Sequence, residues 1–160
     1  MYSSSSLRRL WTGLLVGVLA LAIVPTALAS APEVVETQLQ VVEVIGCSGY
    51  NVVAQWDVTR RATTFVDSSG TPIRVQRHVQ FEGTLTNSVT GKSLLDKGSF
   101  MLTIDLLTGT LTLTGAQRHT IEPGKGIVIQ GTGRLVGVPG DLVFQAGKWY
   151  TEEDFCTALG

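Results

Sequence analysis

Strict alternation of apolar and polar residues is the sequence feature that most constrains the fold of this chain. Between positions 50 and 59, the apolar side chains that fall on one side of an extended backbone are Tyr50, Val52, Ala54, Trp56 and Val58. The residues between them are polar, with Val53 as the exception. Because successive side chains of a strand point to opposite faces of a sheet, this pattern predicts a strand with one buried face and one solvated face.

The same rhythm continues along most of the chain. Runs rich in Val, Ile, Thr and aromatic residues are separated by turn sequences at 67–72, 108–109, 122–126 and 138–141. Short turns between such runs are typical of consecutive antiparallel strands. The sequence therefore predicts an all-β domain of about seven to eight strands in a single antiparallel up-and-down β-barrel, with a β-sandwich as the alternative. A barrel is favoured because closure removes exposed strand edges.

One helix is predicted in the mature chain, at its C-terminus. Thr151 precedes Asp154 by three residues, which is the spacing of a capping box at a helix N-terminus. The two residues between them are acidic, which suits the positive end of a helix dipole. The pattern predicts a short helix that runs through Leu159 and presents Phe155 and Cys156 to the sheet.

Residues 1–29 have the composition of a secretory signal peptide. An Arg8-Arg9 pair precedes an apolar run from Leu10 to Val24, and Ala27-Leu28-Ala29 matches a signal-peptidase site. The apolar run is about 22 Å long as a helix, which is shorter than the hydrocarbon core of a bilayer. The sequence therefore predicts export by the general secretion route and a single secreted β domain at 30–160. It leaves open whether the mature protein is released or stays at the cell envelope.

The chain contains two cysteines, Cys47 and Cys156, and both lie in the predicted mature domain. An even pair in an exported protein is typical of a disulfide, and two unrelated thiols are the alternative. Such a bond would close a loop of about 110 residues and stabilise the domain by roughly 4–5 kcal/mol in the chain-entropy treatment. Its predicted role is structural, since it would join the two ends of the domain.

Charge and motif content argue against several classes of function. Without the two arginines of the signal peptide, the 12 basic and 13 acidic residues become 10 and 13, a formal charge of −3. A mildly acidic domain is poorly suited to nucleic acid or to an anionic membrane surface. Two histidines beside paired cysteines are too few for a closed zinc site, so neither a metal nor a cofactor is predicted. Gly91-Lys92-Ser93 lacks the earlier glycine of a phosphate-binding loop, because position 86 is threonine.

A few polar side chains fall on positions that the alternation assigns to an apolar face. Gln117 and His119 follow Leu113 at even spacing, and Arg77 lies between Val75 and Val79. Buried polar groups need partners or a ligand, which makes these residues candidates for a binding site. The alternative is that a bulge changes the face of the strand, or that these side chains lie at a solvated barrel mouth. With two amphipathic aromatic residues added, the predicted ligand-binding residues are Arg77, Gln117, His119, Trp56 and Tyr50.

Several short motifs support a resemblance to known proteins. They are Leu142-Val143-Phe144, the final Asp154-Phe155-Cys156-Thr157-Ala158-Leu159, Phe81–Thr86 and Gly91-Lys92-Ser93. In these motifs the chain resembles small secreted bacterial β proteins of the actinobacterial type, and the resemblance implies no activity. Thr108–Thr112 is more remotely similar to strands of dirigent and allene oxide cyclase barrels, which bind or steer small apolar molecules. That second resemblance bears on the fold alone.

These observations lead to one leading hypothesis and two alternatives. The leading hypothesis is a secreted, non-enzymatic β-barrel that binds a small, largely apolar ligand in its lumen, with Arg77, Gln117 and His119 as polar contacts. The first alternative is an isomerase-like or cyclase-like enzyme that uses His119 as acid or base in the same cavity. The second is an extracellular or cell-envelope interaction module whose outer face binds a partner. The sequence leaves the ligand and the oligomeric state open.

Overall fold

The computed structural model describes residues 31–160, in which seven strands and one helix follow one another along the chain. They are β1 (Glu33–Cys47), β2 (Tyr50–Val66), β3 (Pro72–Asn87), β4 (Ser93–Asp105), β5 (Leu111–Glu122), β6 (Gly126–Val138), β7 (Asp141–Lys148) and α1 (Glu152–Leu159). Each strand pairs antiparallel with the next, so the order in the sheet is the order in the chain. The predicted all-β meander with a short C-terminal helix is confirmed. The predicted signal peptide at 1–29 lies outside the described residues.

The sheet coils without closing. Within residues 31–160, β1 and β7 are the two ends of the sheet order and do not pair with each other. Helix α1 has eight residues, a length of about 12 Å. It nevertheless contacts β1, β2 and β6, which lie far apart in that order, so the sheet must curl around it. Closure into a barrel is therefore not confirmed, and the sandwich stays the alternative description.

The buried core lies at one end of the curled sheet, beneath α1. The inner face is the face that carries Trp56 and Leu85. Its buried apolar side chains and those of α1 are Ile45, Val52, Ala54, Trp56, Val58, Leu85, Leu94, Ile129, Phe155 and Leu159. All of these strand residues lie where β1 and β3 end and where β2, β4 and β6 begin. We call this end of the inner face the covered half.

The opposite end of the inner face, the open half, is apolar but less well buried. Its central side chains are half-buried, and they are Ala62, Val75, Leu102, Ile104, Leu111, Leu113 and Leu135. The strand register places all of them on the face of Trp56. The long strands therefore extend beyond the core and carry an apolar surface that α1 does not seal.

A disulfide joins Cys47, at the end of β1, to Cys156 in α1, with the two Cα atoms 5.6 Å apart. This confirms the predicted pairing, and it is consistent with an extracellular location, where disulfides persist. The part of the chain from 31 to 160 contains no helix with the length and hydropathy that a membrane crossing needs.

The local sequence explains where α1 begins. The Asp154 carboxylate accepts hydrogen bonds from the backbone N–H and the hydroxyl of Thr151, at 2.6 and 3.1 Å. Three acidic residues occupy the first turn, where the helix dipole is positive. Phe155 and Leu159 are four residues apart, so both project from one side of the helix into the covered half.

Candidate functional site

The structure does not bring the five predicted ligand-binding residues together. Trp56 and Tyr50 lie in the covered half and already have internal hydrogen-bond partners. The Trp56 Nε1–H donates to Asp96 Oδ2 at 2.8 Å, and the Tyr50 hydroxyl donates to the carbonyl oxygen of Cys156. Trp56 is only 7% exposed and forms part of the core. Both side chains therefore stabilise the covered half from within.

A bulge in β5 determines the directions of the Gln117 and His119 side chains. The two neighbours of Gln117 pair with consecutive residues of β6, which leaves Gln117 without a partner of its own. One extra residue shifts the alternation by one position. Arg118 and Thr120, instead of His119, therefore continue the inner face that Leu113 begins. The predicted inner position of His119 is wrong, and the alternative interpretation, a bulge, is confirmed.

The two residues differ in burial. Gln117 is 7% exposed, and its Nε2 donates to the carbonyl oxygen of Gly133 at 3.4 Å. His119 is half-buried on the outer face, opposite Lys97 of β4 and Gln130 of β6. The Gln117 Oε1 and the His119 Nε2 are both buried, and neither has a hydrogen-bond partner among residues 31–160.

The covered half contains a polar centre that the sequence analysis did not identify. Trp56, Gly83, Asp96 and Thr120 form one row across β2 to β5 on the inner face. The Asp96 carboxylate is fully buried and accepts hydrogen bonds from Trp56 Nε1 and from the Thr120 hydroxyl, both at 2.8 Å. Two strand spacings, about 10 Å, separate Trp56 from Asp96. The indole can bridge this distance because Gly83 has no side chain.

Arg118 is the cation of this centre. Its Nε lies 3.2 Å from Asp96 Oδ2, and its side chain is 11% exposed. Gly98 of β4 and Gly131 of β6 flank it, and a Cβ at Gly131 would lie 2.5 Å from the Tyr150 ring. The missing side chains leave room for aromatic rings around the guanidinium. Its carbon lies 4.6 to 5.8 Å from the ring centres of Phe155, Tyr150, Trp56 and Phe81.

The electrostatics of the centre combine burial with incomplete pairing. Burial raises the pKa of Asp96, whereas the Arg118 charge and the hydrogen bonds from Thr120 and Trp56 act in the opposite direction. The Arg118 Nε is close enough for an ion pair, but its geometry does not give a hydrogen bond to the carboxylate. The aromatic rings stabilise the cation by cation–π contact. Because neither charged group is open to a solute, we interpret this centre as structural.

The sequence indicates a buried position for Asp96 but not for Arg118. Asp96 follows Leu94 at the two-residue spacing of a strand, and Leu94 is a core residue. An acid at that position predicts a buried carboxylate with partners. Arg118 carried no such signal, because the bulge at Gln117 reverses its face.

Arg77 lies elsewhere, on the inner face of the open half. It pairs with Ala62 of β2 and Leu102 of β4, and its side chain is exposed. Arg60 is its diagonal neighbour on the same face, opposite Val79. Neither guanidinium has a carboxylate within 4.0 Å in the described part of the chain. The centre of the open half is thus apolar and carries two unpaired cations, while Glu33 and Thr64 lie on the same face at its far end.

The described residues contain no group of three or more His, Cys, Asp or Glu side chains that could hold a metal ion. Comparisons with protein-family models, with curated proteins and with solved structures find no significant match to this chain.

Proposed function

We propose that this protein is an extracellular, non-enzymatic binder of a small amphipathic anion, which it holds on the inner face of the open half. The ligand has an apolar body and a carboxylate-like head. The observation that carries the proposal is the pair Arg60 and Arg77, two cations without a carboxylate within 4.0 Å in the described residues, on a face whose central side chains are apolar.

The apolar part of the surface supports contact with an apolar body. Leu102, Ile104, Leu111 and Leu113 lie on neighbouring strands of the open half and are only half-buried. Burying such side chains further contributes about 25 cal/mol per Å² of apolar area removed from water. A contiguous apolar surface of this kind is typical of ligand or partner sites.

The two arginines support an acidic head. A guanidinium binds a carboxylate through two parallel N–H groups, and this geometry gives orientation as well as affinity. Arg60 and Arg77 are diagonal neighbours, so their mutual repulsion falls when an anion lies between them. A neutral ligand would leave both charges uncompensated beside it.

Secretion forms part of the proposal. The disulfide between Cys47 and Cys156 and the predicted signal peptide support it together. The enzyme alternative is less well supported, because it required His119 within the inner cavity, and His119 lies on the outer face.

Binding of laurate and of dodecanol tests the proposal, because the two share a chain length and differ in head group. We expect the mature protein to bind laurate, as measured by isothermal titration calorimetry. The double substitution Arg60→Gln/Arg77→Gln is expected to weaken laurate at least roughly tenfold and to leave dodecanol nearly unchanged. Both arginines are exposed, so the variant should fold.

Arg61→Gln is the matched control, since Arg61 follows Arg60 on the same strand and is also exposed but faces outward. It should leave laurate affinity unchanged. Equal loss in the control and in the double variant would indicate non-specific attraction to positive charge and would refute the proposed site. Absence of any laurate binding to the wild-type protein would refute it as well.

A further inference from the structure

The outer face carries a second candidate site, which is independent of the open half. Four titratable residues form one row in register across β2 to β5, and they are Asp57, Glu82, Lys97 and His119. All four line a groove of about 470 Å³. Cavities of this size hold small ligands.

The order of charges along the row is unusual. Asp57 lies directly opposite Glu82, and Lys97 lies directly opposite His119. Two carboxylates that face each other across strands repel, so an order with Lys97 between them would serve stability better. The row instead has an acidic end and a basic end.

The four side chains are not neutralised by one another. None of them forms an ion pair within 4.0 Å with any residue in the 31–160 segment, even though Glu82 and Lys97 are opposite each other. The His119 Nε2 is buried without a hydrogen-bond partner, although His119 lines the groove. A buried polar atom of this kind costs free energy unless a ligand or water satisfies it.

The spacing defines what would fit. Neighbouring strands are about 4.8 Å apart, so the middle of the acidic pair and the middle of the basic pair are about 10 Å apart. An extended peptide spans about 3.3–3.6 Å per residue, so the two termini of a tripeptide are separated by a similar distance. Ala116 of β5, which pairs with Ser99 on the outer face, also lines the groove and adds a small apolar contact.

We propose that this groove binds a short zwitterionic peptide of about three residues, with its ammonium end over Asp57 and Glu82 and its carboxylate end over Lys97 and His119. The peptide lies across the strands, over the outer face of β2 to β5. The site is on the opposite face of the sheet from the proposed anion site, so the two can be tested separately.

The test is an NMR titration of the isotopically labelled mature protein with the tripeptide Ala-Phe-Ala. We expect saturable shifts at the groove residues and at least a roughly tenfold loss of affinity when either terminus is blocked. Asp57→Asn and Lys97→Met should each cause a similar loss, and both positions are exposed, so folding should be unaffected. Arg134→Gln, on the outer face of β6 and away from the groove, is the control and should change nothing.

Three outcomes would overturn the proposal. The first is the absence of saturable shifts at the groove with peptide at about 1 mM or higher. The second is equal binding of the N-acetylated or C-amidated peptide, since the charged ends would then be irrelevant. The third is a set of shifts confined to the inner face, which would assign the peptide to the surface of Arg60 and Arg77.

Discussion

The buried pair Asp96 and Arg118 allows a prediction in which a second substitution repairs the first. Asp96→Asn removes the negative charge but keeps the shape of the side chain: the amide oxygen can accept from the Trp56 Nε1–H, and the amide NH2 can donate to the Thr120 hydroxyl oxygen. The substitution changes the electrostatic environment of the Arg118 guanidinium, which stays among four aromatic rings but no longer has a counter-charge.

Breaking a buried ion pair by removing one partner typically costs about 3–5 kcal/mol, because the other charge stays buried and uncompensated. Here the Arg118 side chain is 11% exposed, so little solvent is available to compensate it. We therefore expect Asp96→Asn to lower the free energy of unfolding by about 3–5 kcal/mol. In Asp96→Asn/Arg118→Met the uncompensated charge is gone, and methionine suits an aromatic surrounding. The double variant should accordingly be more stable than Asp96→Asn alone.

Urea denaturation with the disulfide intact, followed by tryptophan fluorescence, measures these differences. Lys125→Met is the control, because it breaks an exposed ion pair with Glu122 at 3.0 Å and should cost no more than about 1 kcal/mol. The ion pair does not stabilise the fold as proposed if Asp96→Asn lowers the free energy of unfolding by no more than this control does. The same conclusion follows if the double variant is less stable than the single one, because Arg118 would then stabilise the fold without Asp96.

Two further predictions concern the covered half. Cys47→Ala/Cys156→Ala should lower the free energy of unfolding by about 2–5 kcal/mol in urea, and an unchanged midpoint would exclude a structural role for the bond. Gly83→Ala should lower the free energy of unfolding by more than about 3 kcal/mol, because the new Cβ would overlap the Gln55 carbonyl oxygen and displace Trp56. An unchanged midpoint of thermal unfolding would contradict the register between β2 and β3.

Alternation and turn chemistry were sufficient to predict the class of fold. The strict pattern from Tyr50 to Thr59 corresponds to the first part of β2, and the Thr151–Asp154 spacing corresponds to the start of α1. Closure could not be predicted in the same way. It depends on how far the sheet coils, and coiling is a property of many weak contacts that no single residue encodes.

The candidate site was harder to predict than the fold, for a reason that one residue illustrates. The bulge at Gln117 inserts an extra position into β5, so every alternation-based assignment beyond it is reversed. His119 was therefore placed on the inner face, and Arg118 was overlooked. Glycine within a strand often marks a bulge or a close approach, but Gly98 and Gly131 are recognised as neighbours of Arg118 only once the register is known.

Helix α1 is too short to be stable alone, and two strands and the loop before β4 supply hydrogen-bond partners for its carbonyl oxygens. The hydroxyl of Tyr50, the Asn87 amide and the Lys92 ammonium donate to its carbonyl oxygens, and the disulfide anchors it to β1. The buried core and the Asp96–Arg118 pair lie beneath it. The stability of the domain should therefore be concentrated in the covered half, and the open half should tolerate substitution.

Two leucines on neighbouring strands test this division directly. Leu85 in β3 is fully buried in the covered half, and Leu102 in β4 is half-buried in the open half. Leu85→Ala should lower the free energy of unfolding by about 2–5 kcal/mol, because it leaves a cavity in a packed core. Leu102→Ala should cost only about 1 kcal/mol, since solvent already reaches the site. Equal losses in urea titrations would mean that the open half is as tightly packed as the core, and would refute this division of the domain.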